Sequence, residues 1–298
     1  MVRQNGSRIG AFSPQKGECA VPNREKLVEK EKRESPLSDK EINEADEKSS
    51  TSAKVIHEAI RLEGTEELDR PSQSIAWSGL AAGLTMGCSM LAQGLLRAAL
   101  PDAPWRTLIT SFGYGLGFVF VTMGRQQLFT ETTLTVMLPV LHKSHKAADL
   151  ARYWSIVFVT NIVGTLLFAG AATVPHLFKP EVVKAFTELG VQAVEPGFVV
   201  VLAKAVVAGW LIALMVWLLP IASSARLLVI MAVTWLLAAA ELSHVIAGSA
   251  ETAFAAMQGA IGWDQYFLGF LIPALIGNSI GGVVFVALLN HAQVKEEI

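Results

Sequence analysis

Two short polar stretches interrupt long apolar runs, and they hold most of the side chains with chemistry to offer. One reads Gly124-Arg125-Gln126-Gln127-Leu128-Phe129-Thr130-Glu131; the other reads Ala240-Glu241-Leu242-Ser243-His244-Val245-Ile246-Ala247-Gly248. Ionisable residues inside membrane-length apolar segments are costly, and they usually face a protein interior or a water-filled path. An imidazole, with a reference pKa near about 6.5, holds or releases a proton at physiological pH. His244 could supply a proton or a positive charge at such a site. Lys204, inside another apolar run, is either a vestibule charge that attracts anions or a snorkelling side chain. Arg125, Glu131 and Glu241 either join this chemistry or pair to hold the interrupted segments closed. Glu241 lies one helical turn before His244 and is expected to orient it.

Helices must position these stretches. Of 298 residues 52% are hydrophobic and only 17% are charged, against about 25% charged in a typical soluble domain. Most of that charge falls in residues 1–70, read as a polar cytoplasmic segment. Residues 1–50 are too poor in apolar side chains to fold and are expected to be disordered. The spacing of Val55, Ile56, Ala59, Ile60 and Leu62 predicts a short amphipathic helix near 51–68. It would lie on the membrane surface or pack under the bundle.

Six apolar segments are long enough to span a bilayer: about 74–99, 107–124, 153–175, 197–219, 225–247 and 265–290. They define a transmembrane domain over 71–292, followed by a cytoplasmic tail over 293–298. The second and fifth segments are the interrupted ones. Lys143, Lys146, Arg152 and Arg226 occupy loops on one side, while 248–264 has no Lys or Arg. That bias places both termini in the cytoplasm.

An internal repeat sets the topology. Asn161-Ile-Val-Gly164-Thr-Leu-Leu-Phe168 in the third segment matches Asn278-Ser-Ile-Gly281-Gly-Val-Val-Phe285 in the sixth. Each ends a three-helix half. Three is odd, so the halves are inverted, with a site expected between them. The fold class is therefore an all-α membrane protein of two inverted three-helix repeats with broken helices 2 and 5. Gly79, Gly83 and Gly87 form a face for close helix packing. Cys19 and Cys88 suggest no disulfide or metal site. Without a nucleotide loop, a nucleophile–base pair or a cofactor motif, the reading is transport and not catalysis. No basic stripe points to nucleic acid.

At these residues the chain resembles the formate/nitrite transporter family, in a divergent branch. The motifs are Leu128-Phe129-Thr130, Ser243-His244-Val245-Ile246-Ala247 and Gly277-Asn278-Ser279-Ile280-Gly281-Gly282, with Lys204 and Trp217 on the fourth segment. The resemblance covers about 75–290. It implies an aquaporin-like homopentamer in a bacterial inner membrane, each protomer passing small monovalent anions such as formate or nitrite. By position, Tyr114, Phe118 and Leu128 would shape the cytoplasmic constriction and Leu237 the opposite one. Thr130 would hydrogen-bond near His244. Gln127 replaces a usual acid, Glu241 a small residue, and Gly209 and Gly248 two usual asparagines. Arg125 also replaces a small residue, and Glu131 directly follows the Thr. These departures keep open a pore for a small neutral solute, or a non-conducting scaffold that docks partners through residues 1–70.

Overall fold

The computed structural model describes residues 52–295. The segments 1–51 and 296–298, with the expectations placed on them, lie outside the described residues.

Helix α1, Ala53–Asp69, buries Ile56, His57, Ile60, Gly64 and Leu68. That three-and-four spacing is one helical face. It stops before Pro71, which disfavours helical backbone in the preceding residue. Then come α2, Ser72–Ala99, and α3, Arg106–Met123. After a five-residue gap come the short α4, Phe129–Thr135, and α5, Met137–Leu141. Next are α6, Ala147–Ala172, and the amphipathic α7, Pro180–Val194, whose Pro180 suits a first helical turn. Helix α8, Phe198–Ala222, joins α9, Arg226–Ala239, through a tight turn at Ser223–Ala225. A second gap precedes α10, Val245–Met257. The last helix runs from Gln265 through α11, Ile272–Gly282, to α12, Leu289–Lys295, with wider π turns on either side of α11.

Among the described residues, four stretches are long and apolar enough to cross a membrane: α2, α6, Phe198–Ala239 and Gln265–Val294. Phe129–Leu141 and Val245–Met257 are shorter apolar helices. Large apolar side chains also face outward, among them Phe112 at 53%, Leu167 at 54% and Leu228 at 71% exposure. Such a surface would aggregate in water and is satisfied by lipid. By contrast α10 is buried from Val245 to Ala256. A half-helix at the centre, sheathed by longer ones, is the core of the molecule.

Small residues bring the helices together. Gly79 and Gly83 of α2 lie against Thr160 and Asn161 of α6, and Gly87 lies against the Phe168 ring. On α8 and α11, Gly209 meets the Asn278 backbone and Gly281 meets Val206 and Trp210. None of these sites has room for a Cβ. Two buried asparagines then do the same work in the two pairs. Asn161 Oδ1 accepts from Phe129 N at 2.9 Å, while its Nδ2 donates to Gly79 O and Gln127 O at 2.8 and 2.9 Å. Asn278 Oδ1 accepts from Val245 N at 2.8 Å, while its Nδ2 donates to Ala205 O and Ser243 O at 2.8 and 2.9 Å. Each asparagine ties a chain break to two helices, and the bonding pattern is the same in both.

Asn161→Ala and Asn278→Ala each remove three buried hydrogen bonds. Each is expected to lower stability by about 2–3 kcal/mol, read from unfolding in detergent. Ser279→Ala loses one bond within its own helix, to Leu275 O, and should shift stability by less than about 0.5 kcal/mol.

Candidate functional site

The two gaps have one geometry. At the first, Gln126 N donates to Val121 O and Arg125 N to Thr122 O; at the second, Leu242 N donates to Leu237 O and Glu241 N to Ala238 O. Both are the six-to-one and five-to-two bonds of a Schellman ending. The second residue past each helix is left-handed, with φ 51° at Arg125 and φ 51° at Glu241. The chain then extends, at φ −99°, ψ 124° for Leu128 and φ −104°, ψ 120° for His244. Leu128 and His244 thus hold matching places in the two breaks.

The breaks meet at one polar contact. His244 Nε2 lies 2.7 Å from Thr130 Oγ1, and both residues are buried. His244 Nδ1 accepts the Ala247 N–H at 3.2 Å and so caps the start of α10. A nitrogen that accepts this bond carries no proton, so Nε2 bears the hydrogen and donates it to Thr130. The edge of the imidazole meets the Phe118 ring, with centroids 4.9 Å apart at 76°, and Phe118 meets Tyr114 at 5.4 Å.

Cavities open at opposite ends of α3. One is lined by Thr107, Thr110, Tyr114, Lys204, Glu241 and His244. The other is lined by Thr122, Arg125, Gln127 and Glu131, with Glu63 and Glu67 from α1. Thr107 and Thr122 lie roughly 22 Å apart along the helix at 1.5 Å per residue. Phe118, Leu128 and Leu237 are fully buried and line neither cavity. Charge differs between the ends. The Arg125 end has Glu63, Glu66, Glu67 and Glu131 against Arg125 and Arg226. The other has Arg97 and Lys204 with Glu241 and Glu251.

Some sequence expectations need correction. Glu241 does not orient His244. Left-handed backbone at Glu241 and the extended segment after it remove the helical turn on which that pairing depends. Its carboxylate is 71% exposed and lies 3.8 Å from Lys204 Nζ. Ala247 and Thr130 hold the imidazole instead. Tyr114, one turn nearer the start of α3 than Phe118 and packed against it, lines the Glu241-side cavity. Phe129 packs outward on Trp154 and Phe158 of α6, at 6.1 and 5.3 Å. Only its backbone serves the break. Arg125, Glu131 and Glu241 pair with three different groups and not with one another. Arg125 meets Glu63 at 3.0 Å, and Glu131 accepts from the Thr122 hydroxyl at 2.6 Å.

Glu251 is absent from the sequence motifs yet lines the Glu241-side cavity, buried, with Oε1 unpartnered. Its position seven residues after His244, two turns along α10, was the available signal.

Long apolar helices, two half-helices meeting at a buried polar contact, and a cavity at each end together define a membrane channel or transporter. The chain belongs to the formate/nitrite transporter family: the model of that family matches residues 54–292. Inner membrane protein YfdC of Escherichia coli K12 is 39% identical over 248 residues, 83% of this chain and 80% of that one. A probable formate transporter of Methanothermobacter thermautotrophicus is 27% identical over 234 residues, 72% of this chain and 82% of that one. Among solved structures, a pentameric formate channel with formate bound matches with TM-score 0.65 at 19% identity, covering 75% of this chain and 98% of that one. The family and its fold neighbours are transporters and channels, not enzymes.

A left-handed conformation costs a side-chain-bearing residue about 1 kcal/mol that glycine avoids. Glu241→Gly is therefore expected to raise stability by about 1 kcal/mol in a detergent melt. The Lys204 pair, long and exposed, offsets little of that gain.

Proposed function

We propose that this protein is a channel or proton-coupled transporter for small monovalent anions of weak acids, formate and nitrite being the type, with His244 at the centre of the path. The observation that carries this reading is the buried Thr130–His244 contact, placed where two interrupted helices meet and between cavities at opposite ends of α3. An Nε2–H that donates to a hydroxyl can donate to a permeating oxyanion in its place. The surrounding apolar plug of Phe118, Leu128 and Leu237 makes a bare anion costly. Four carboxylates at the Arg125 mouth add to that cost. Both terms are lowest for a weak acid that crosses the plug protonated.

The same reading takes α3 with α4, and α9 with α10, as two broken spans among six crossings in two inverted halves. Matched asparagine bonds and matched Schellman endings support it. Both termini, with the Arg125 mouth, would then face the cytoplasm, as the basic loop residues favour. A homopentamer in a bacterial inner membrane follows from what the similar formate channel and YfdC are described to be. A neutral-solute pore has no support among the relatives.

Proteoliposome uptake of formate and nitrite between pH 5 and 8 tests the proposal. Flux is expected to rise as pH falls, because the protonated fraction of a weak acid rises. His244→Ala should lower it at least about tenfold, the scale of a lost proton donor, and Thr130→Val should lower it less. A folded wild-type protein with no flux above empty liposomes would overturn the reading.

A further inference from the structure

At the Arg125 end, outside the path, three histidines far apart in sequence converge. His57 comes from α1, His142 caps the end of α5, and His291 comes from α12. Ring centroids are 5.2 Å apart for His57–His142, 5.4 Å for His57–His291 and 5.0 Å for His142–His291. One nitrogen from each ring lies within 4.8 Å of the other two. The setting is apolar, built from Ile56, Ile60, Leu138 and Trp217. His57 is fully buried. Its Nε2 lies 3.2 Å from His291 Nδ1, while its Nδ1 has no partner. An unpartnered polar atom in a dry core costs free energy that an apolar residue would not. His57 is thus gathered with two further imidazoles where its own hydrogen bonds leave one ring nitrogen unsatisfied.

We propose that His57, His142 and His291 form a transition-metal site, best matched to Zn²⁺, that pins helix α1 to the end of α5 and to helix α12. The donor set decides the class of ion. Imidazole nitrogen suits Zn²⁺, Cu²⁺ and Ni²⁺, whereas Mg²⁺ and Ca²⁺ need oxygen. Tetrahedral zinc with bonds of about 2.0–2.1 Å separates its ligand nitrogens by roughly 3.3 Å. The His57–His291 pair is already at 3.2 Å, and one nitrogen of His142 lies within 4.8 Å of a nitrogen of each. The fourth position is left to water. The nearest carboxylate on the same helix, Glu58, is engaged by Arg61 at 2.6 Å and does not compete.

The site has a consequence for the mouth of the path. Leu62, Glu63, Glu66 and Glu67 of α1 line the Arg125-side cavity. An ion that fixes α1 therefore fixes where those carboxylates stand. The inference does not depend on the transport reading, because it concerns binding alone.

The test uses full-length, untagged protein in detergent, stripped with EDTA and titrated with Zn²⁺ at neutral pH. One Zn²⁺ per protomer and a rise in Tm are expected. His142→Ala and His291→Ala, at half-buried positions less prone to misfolding than His57, should each weaken binding at least about tenfold and abolish the Tm rise. Co²⁺ should give the visible bands of a four- or five-coordinate ion in the wild type and not in the variants. No stoichiometric uptake by folded wild type would overturn the proposal. Binding of unchanged affinity in both variants would do so equally.

Discussion

A helix interrupted in an apolar setting exposes backbone donors and acceptors that lipid cannot satisfy, and everything at the centre of this molecule depends on meeting that demand. Asn161 and Asn278 meet it. Each carboxamide accepts from the first N–H of a half-helix and donates to the carbonyl two residues earlier. The remaining donor reaches across to α2 or α8. A carboxamide is the side chain with one acceptor and two donors in this fixed arrangement. The close approach of α2 to α6 and of α8 to α11, made possible by glycine, brings those carbonyls within reach. Packing and polar satisfaction are one problem here, solved by the same four helices.

The two matched breaks carry unlike chemistry. Leu128 and His244 occupy matching extended positions, and Thr130 and Ile246 match two residues further on, in the first turns of α4 and α10. The polar contact at the centre therefore exists only because the halves have diverged: the threonine comes from one break and the histidine from the other. A symmetric pair of leucines would leave an apolar plug, and a symmetric pair of histidines would crowd two rings that could not both be protonated. The apolar ring of Phe118 against the imidazole excludes water from the contact and keeps its single hydrogen bond strong.

Much of this was legible from residue order, and what was not has physical reasons. The all-α membrane class and the family follow from apolar runs and from three short motifs. Asn161 and Asn278 stand out as a repeat, although their bonds to the breaks need coordinates. The amphipathic α7, with Val182, Ala185, Phe186 and Leu189 buried, escapes a search for spans because it is too short and too charged. The Glu241–His244 pairing fails because helical spacing was applied across a break in which no helix exists. The three histidines are invisible to any spacing rule. His57 and His291 stand 234 residues apart, and only the docking of α1 beneath the bundle joins them.

The left-handed residues invite a last step. Arg125 and Glu241 sit where glycine would be cheaper, and their side chains are 74% and 71% exposed. Exposed ion pairs contribute little, and the breaks are already held by Schellman bonds and asparagines. Local stability therefore does not account for a charged residue at either place. Each side chain does line a cavity, Arg125 beside Glu63 and Glu241 beside Lys204. Backbone strain kept without a structural return points to use.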